Sequence, residues 1–146
     1  MKVSKSSKPA SQKRPPAKAE EPSPAGMRSA EVVLDVDVEQ DRVHLVLANC
    51  GDAVATDVQV RFSRALVGLG GSTRISDLPF FTKLGVLRPG RTVRIFWDAA
   101  PSLLSQSEQA APFVATVSWS ERSRGRQQAE YHHDLSVYRQ LPQALD

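Results

Sequence analysis

Alternation of apolar and polar residues at every second position is the feature that most restricts the fold of this chain. Residues 31–39, EVVLDVDVE, place four apolar side chains on one side of an extended segment and mainly acidic ones on the other. Because successive side chains of a β-strand point to opposite faces, this pattern predicts a strand with one buried face. It recurs in residues 43–48, 57–62, 92–97, 113–120 and 129–138.

A further short strand is predicted within residues 78–87, LPFFTKLGVL, where the proline favours a place at a sheet edge. About seven strands, each with one polar face and with almost no helix, are typical of antiparallel sheets packed face to face. The buried rows predicted for them are Val32, Leu34, Val36, Val38, Val43, Leu45, Leu47, Val58, Val60, Phe62, Val93, Ile95, Trp97, Phe113, Ala115, Val117, Trp119, Tyr131, His133, Leu135 and Val137.

The connections between these strands carry turn residues. In residues 49–52, NCGD, Gly51 is expected to supply a positive φ. Residues 63–77 contain three glycines without a period and predict a long loop. Residues 98–112 predict one helical turn, in which Ser105 and Glu108 have the spacing of a capping box.

Composition divides the chain into a tail and a domain. Residues 1–28 carry seven basic and two acidic residues, whereas the rest carries twelve basic and fourteen acidic residues. The tail is rich in Lys, Pro, Ser and Ala and predicts disorder, because it has too little apolar surface to offset the entropy of ordering. We expect the domain to occupy residues 29–142, followed by a short tail at residues 143–146.

Several classes of protein are disfavoured by the sequence. It contains no run of about 18 apolar residues, which disfavours a membrane span, and its N-terminus lacks the apolar core of a secretion signal. Cys50 is the single cysteine, so neither an intramolecular disulfide nor a multi-cysteine zinc site is possible. These features favour a cytoplasmic location.

Five features of the sequence are candidates for sites. His132 and Asp134 of YHHD would share one strand face, which favours a solvent-facing pair over a three-ligand metal site. No nucleophile elbow accompanies the Ser, His and Asp residues, and GLGGST lacks the lysine of a phosphate loop. The acidic row on residues 35–39 favours a solvated face. Two arginine clusters surround turns, and for both the net negative charge of the domain favours balance by nearby acids over anion binding. They are Arg88, Arg91 and Arg94 at the RPG turn and Arg122, Arg124 and Arg126 at the ERSRGR turn.

The strongest candidate for an interface is the glycine-rich loop at residues 63–77. Its apolar residues Leu66, Val67 and Leu69 either tuck against the end of the sandwich or form a contact patch for a protein partner.

Two turn motifs resemble those of CARDB-like domains. They are Asn49-x-Gly51-x-Ala53, followed by the strand from Asp57 to Phe62, and Leu87-x-Pro89-Gly90 before the strand that begins near Val93. The resemblance implies an immunoglobulin-like sandwich related to fibronectin type III modules. It also implies a binding or scaffolding role, and it carries no catalytic residues.

The sequence therefore predicts a non-catalytic interaction or assembly module without a cofactor, which binds a protein partner, or a second copy, through loops and strand edges. The alternative is a nucleic-acid-associated protein that binds this or another polyanion through the basic tail. The contacts expected in that case are Lys2, Lys5, Lys8, Lys13, Arg14 and Lys18.

Overall fold

The computed structural model describes residues 28–140. Residues 1–27 and 141–146 lie outside the described range. The predictions made for the two tails, including disorder at the N-terminus, fall on these residues, with Arg28 the one tail residue inside the range.

Two antiparallel sheets form the domain. The first contains three strands in the order β1 (Val32–Glu39), β2 (Arg42–Asn49) and β7 (Thr92–Ala99). The second contains four strands in the order β6 (Leu84–Leu87), β3 (Ala55–Phe62), β8 (Phe113–Glu121) and β9 (Gly125–His133). The predicted all-β fold, an immunoglobulin-like antiparallel sandwich of seven main strands, is confirmed.

The core lies between the sheets and consists of the inward rows that alternation predicted. Val32, Leu34, Val43, Leu45 and Leu47 are buried in the first sheet, and they face the inward residues of β3 and β8 in the second. Along β8 every second residue is buried, from Phe113 to Glu121. Val137 departs from the prediction, because the chain leaves the sheet after His133 and this side chain is 52% exposed.

The connections hold more structure than the sequence predicted. Residues 63–77 contain a small hairpin, β4 (Val67–Gly68) and β5 (Thr73–Arg74), followed by a 3-10 turn at Ile75–Asp77. A helical turn, α1 (Phe80–Lys83), precedes β6, and β6 is an edge strand as expected.

Two short helices, α2 (Ala100–Leu104) and α3 (Ser107–Ala110), stand where one helical turn was predicted. The predicted capping box is wrong, because α3 begins after Gln106 and no side chain caps it. A final 3-10 turn covers Leu135–Gln140.

The two turn motifs meet at the side chain of Asn49, which is 1% exposed. Its Oδ1 accepts hydrogen bonds from the N–H groups of Glu31 and Gly51, at 3.1 and 3.0 Å. Its Nδ2 donates to the carbonyl oxygens of Ala53 and Leu87, at 2.8 and 3.0 Å. One buried amide therefore joins the start of β1, the turn after β2 and the end of β6.

Gly51 is required for space rather than for a positive φ. A Cβ at this position would lie 2.2 Å from the carbonyl oxygen of Ser29, and Gly51 is not among the glycines with positive φ. The prediction of a left-handed turn residue is wrong, because the segment before β1 crosses directly over this glycine.

Side chains of the second sheet close the flank of the sandwich between β1 and β9. The Tyr131 hydroxyl donates to the carbonyl oxygen of Val32 at 2.8 Å. His133 Nε2 lies 2.9 Å from the carbonyl oxygen of Leu34 and donates to it. Burial, reinforced by the negative charges of Glu31 and Cys50, raises the pKa of Tyr131 to about 12, so this hydroxyl keeps its proton at neutral pH.

A buried carboxylate extends the same seam to the β8–β9 turn. Glu121 accepts hydrogen bonds from Trp119 Nε1 at 2.9 Å and from Arg124 Nε at 3.0 Å. Arg124 also donates to the carbonyl oxygen of Ala30 at 3.1 Å. Burial alone would raise the pKa of Glu121, but hydrogen bonds from Arg124, Trp119 and Ala30 outweigh it and lower that pKa below its ordinary value.

We expect Glu121→Gln to lower the free energy of unfolding by about 1–3 kcal/mol at pH 7, because it removes charge-assisted hydrogen bonds. A carboxylate with a lowered folded pKa contributes its full stability above the unfolded pKa and loses it as the pH falls through the folded pKa. The difference in free energy of unfolding between the unmodified protein and Glu121→Gln should therefore shrink as the pH falls below about 4, near the unfolded pKa of Glu.

Urea unfolding at several pH values measures this difference. Glu130→Gln is the matched control, since Glu130 lies on the exposed face of β9. A deficit of Glu121→Gln that is the same at pH 7 and at pH 3 would contradict the assignment.

Candidate protein-interaction site

The predicted interface residues lie on the β4–β5 hairpin and just before it, and the structure separates them. Leu66 is fully buried, Val67 is half-buried, and Leu69 is 44% exposed. Of the two alternatives given for this loop, Leu66 follows the first, because its side chain is buried in the core. Leu69 alone of the three projects a large apolar surface at the hairpin tip.

Buried polar groups hold the base of the hairpin against β7. The indole Nε1 of Trp97 donates to the carbonyl oxygen of Val67 at 3.1 Å, and the N–H of Leu69 donates to the carbonyl oxygen of Trp97 at 3.1 Å. The carboxylate of Asp98, which is nearly buried, accepts from the N–H of Gly70 at 3.2 Å. These bonds hold β4 and the first residues of the tip against β7.

The helix α3 and the residue that follows it support the other side of the hairpin. Gln109 Oε1 accepts from the N–H of Val67 at 2.9 Å. Arg64 donates to the carbonyl oxygens of Gln109, at 2.7 Å, and of Ala111, and its guanidinium lies 5.5 Å from the centre of the Phe113 ring. Burial lowers the pKa of Arg64, which remains a cation.

These bracing residues were not found by sequence reasoning. Trp97 was predicted only as a core residue, and Arg64, Asp98 and Gln109 lie outside the alternating rows. Their hydrogen bonds join segments 28 to 47 residues apart, so no local pattern indicates them.

The hairpin tip has an unusual backbone. Leu69 has a φ of +55°, followed by Gly70 at +73° and Gly71 at +93°. A left-handed conformation costs a non-glycine residue about 1–2 kcal/mol, and leucine has no short polar side chain to offset that cost. Such strain persists only where the surrounding structure imposes it, and it clusters at functional sites.

The YHHD motif borders a shallow groove of about 280 Å³ at the start of β8 and the end of β9. Asp134 lies beyond the end of β9, so the predicted shared strand face of His132 and Asp134 is wrong. Asp134 instead accepts hydrogen bonds from the N–H and the hydroxyl of Ser136, at 3.0 and 2.6 Å, and caps the last 3-10 turn.

The two histidines of that motif have separate surroundings. His132 is exposed, 3.8 Å from Glu130, whereas the ring of His133 packs against Phe113. Across residues 28–140, no cluster of three or more His, Cys, Asp or Glu side chains is arranged to hold a metal ion.

The charged rows differ in how far they are paired. Arg94 lies 2.7 Å from Asp37 and 3.4 Å from Glu39, and Arg126 lies 3.1 Å from Asp57. Within the described part of the chain, Arg88 and Arg91 form no ion pair. The prediction that nearby acids balance the RPG cluster therefore holds for Arg94 alone.

The remaining candidates are placed as follows. The tail cations Lys2, Lys5, Lys8, Lys13, Arg14 and Lys18 lie outside the described residues. Cys50 is exposed, and partial burial and Glu31 raise the pKa of its thiol, which lowers its reactivity. None of the helices in residues 28–140 is long and apolar enough to cross a membrane.

The comparisons with known proteins add a family but no activity. No curated protein and no solved structure matches the chain. A family model described as "Domain of unknown function (DUF8453)" matches residues 10–139, which is most of the chain and includes the sandwich. The chain belongs to the DUF8453 family.

Proposed function

We propose that this protein is a non-catalytic interaction or assembly module that docks on a protein partner through the tip of the β4–β5 hairpin. The observation that carries the proposal is Leu69, a large apolar side chain held exposed in a left-handed conformation. A hydrogen bond donated by the Trp97 indole and one accepted by the Gln109 amide oxygen fix the hairpin before any partner binds. Such preorganisation reduces the entropy lost on binding.

Two further features support this function. The junction at Asn49 supports kinship with CARDB-like binding modules, because it joins the two turn motifs on which that resemblance rests. The exposed thiol of Cys50 supports a reducing, cytoplasmic compartment.

We expect Leu69→Asn to abolish partner capture while leaving the free energy of unfolding unchanged or raising it by up to about 1 kcal/mol, because asparagine tolerates the left-handed conformation. The measurement is affinity capture from source lysate at low and high salt, together with urea unfolding of the same variant. If Leu69 had only a structural role, its replacement would not abolish partner capture while leaving the free energy of unfolding intact.

Val54→Asn is the matched control for this experiment. Val54 is also 44% exposed, but it lies after the Asn49 turn at the other end of β3. Capture that is equal for both variants would refute docking through the hairpin. Capture of nucleic acid that is salt-sensitive and lost without residues 1–28 would instead support binding through the tail.

A further inference from the structure

The free edge of β7 presents backbone groups that the domain does not use. The N–H of Asn49 donates to the carbonyl oxygen of Arg91, which makes these two residues a hydrogen-bonded pair of the β2–β7 ladder. Such pairs alternate with non-hydrogen-bonded ones in an antiparallel ladder. With the observed register, Val93 and Ile95 direct their backbone groups toward β2. Thr92, Arg94 and Phe96 therefore direct theirs away from the sheet.

The described residues, 28–140, cover this edge at one end only. The N–H of Leu69 meets the carbonyl oxygen of Trp97, where a bulge interrupts the β2–β7 register. Within residues 28–140, no hydrogen bond reaches the outward backbone groups of Thr92, Arg94 or Phe96. The uncovered edge therefore runs directly up to the hairpin tip.

The side chains at this flank suit an added strand. Val93 and Ile95 pack against the core but are only partly buried, whereas most inward residues of β1 and β2 are fully covered. An added strand would cover this apolar surface with every second side chain.

The charges at this flank are positive and unpaired. Lys83 precedes β6, and Arg88 and Arg91 lie on the turn that joins β6 to β7. All three are exposed, and none forms an ion pair with another described residue. Arg94, by contrast, is paired with Asp37.

We propose that the free edge of β7, residues 92–96, binds an extended acidic segment of a protein partner by strand addition. Acidic residues of that segment would face Lys83, Arg88 and Arg91, and its apolar residues would cover Val93 and Ile95. A second copy of this chain fits the edge less well, because pairing edge to edge would bring the same cations together. The basic tail is disfavoured for the same reason, since it is also positively charged. The inference rests on the proposed interaction function and names the partner's chemistry.

The test uses the full chain and three synthetic peptides. One alternates Asp and Val, one alternates Lys and Val, and one is the Asp–Val peptide N-methylated at alternate residues so that it cannot pair with β7. Binding is followed by two-dimensional amide NMR and hydrogen exchange. We expect the unmodified acidic peptide alone to shift and protect the amides of Arg94 and Phe96.

Arg94→Pro and Arg94→Ala form the matched pair of variants. Both remove the side chain, but only proline removes the outward N–H, and an edge strand tolerates it at such a position. We expect Arg94→Pro to bind the acidic peptide at least about tenfold more weakly than Arg94→Ala does. Because the basic tail is present in both, its attraction for the peptide cancels in the comparison.

Three outcomes would overturn the inference: equal binding by the two variants, equal binding of the N-methylated peptide, or the same amide shifts with a single-stranded oligonucleotide. If Leu69→Asn no longer captures the partner and the acidic peptide does not protect the β7 amides, the proposed function is supported and strand addition is refuted. If the peptide protects the β7 amides and Leu69→Asn captures the partner as well as the unmodified protein does, the hairpin is excluded as the docking site. Binding at the β7 edge is then still supported.

Discussion

Asn49→Asp is expected to lower the free energy of unfolding by about 3–5 kcal/mol at pH 7, although the two side chains have nearly the same shape. The carboxylate keeps the acceptor for the N–H groups of Glu31 and Gly51, but it replaces the donor to Ala53 and Leu87 with an oxygen. A charged oxygen would then face two carbonyl oxygens at a site that is 1% exposed. Both burial and this repulsion favour the protonated acid.

The pH dependence of that deficit identifies its cause. A buried aspartate of this kind has a folded pKa above its unfolded value of about 3.9, so the penalty is full above the folded pKa and shrinks as the pH falls toward the unfolded one. Urea unfolding of both proteins between pH 7 and pH 4 measures it. Asn49→Ala is the control, because its loss of four hydrogen bonds does not depend on pH. A deficit below about 1 kcal/mol at pH 7 would show that the junction is dispensable.

Gly68→Ala is expected to cost about 2–4 kcal/mol, since an added Cβ would overpack a closely packed contact. The Cβ would lie 2.0 Å from the carbonyl oxygen of Trp97 and 2.6 Å from its Cδ1. The first of these is a backbone atom that cannot rotate away. The hairpin must therefore move off β7, which breaks the bond between the Leu69 N–H and Trp97.

Thermal unfolding and tryptophan fluorescence test this prediction, because the displaced hairpin exposes the Trp97 ring. Gly85→Ala is the control: no atom lies within 4 Å of its added Cβ, and its φ is not positive. We expect Gly85→Ala to change the stability by less than about 1 kcal/mol. A loss of stability for Gly68→Ala as small as that for Gly85→Ala would contradict the prediction, because it would show that the Gly68 contact relaxes without cost.

The strands were predictable because each leaves a local signature. Residues such as Val32, Leu34 and Val36 recur at every second position, and burial on one face is the physical cause of that pattern. The turn motifs were located correctly. The reason for a glycine at position 51 was not predictable, because the segment that crosses it, at Ser29, lies 22 residues away in sequence.

The candidate site was only partly predictable, because its properties arise from strand order. The exposure of Leu69 and the burial of Leu66 depend on how the hairpin meets Trp97, which no local period encodes. The free edge of β7 likewise follows from the sheet order, in which β7 has β2 as its single neighbour within the three-stranded sheet. The same sheet order decides which arginine lies beside an acidic residue: Arg94 pairs with Asp37, whereas Arg88 has no ion pair among the described residues.

The sealed flank between β1 and β9 limits the stoichiometry of any complex formed through sheet edges. Tyr131 and His133 already occupy the carbonyl oxygens of Val32 and Leu34, so strand addition at β1 would first have to displace them. Strand addition confined to β7 would give each molecule one binding edge. A molecule with one binding edge can terminate an assembly or bind one partner segment, but it cannot propagate a continuous sheet from molecule to molecule, which is the growth step of fibrillar aggregates.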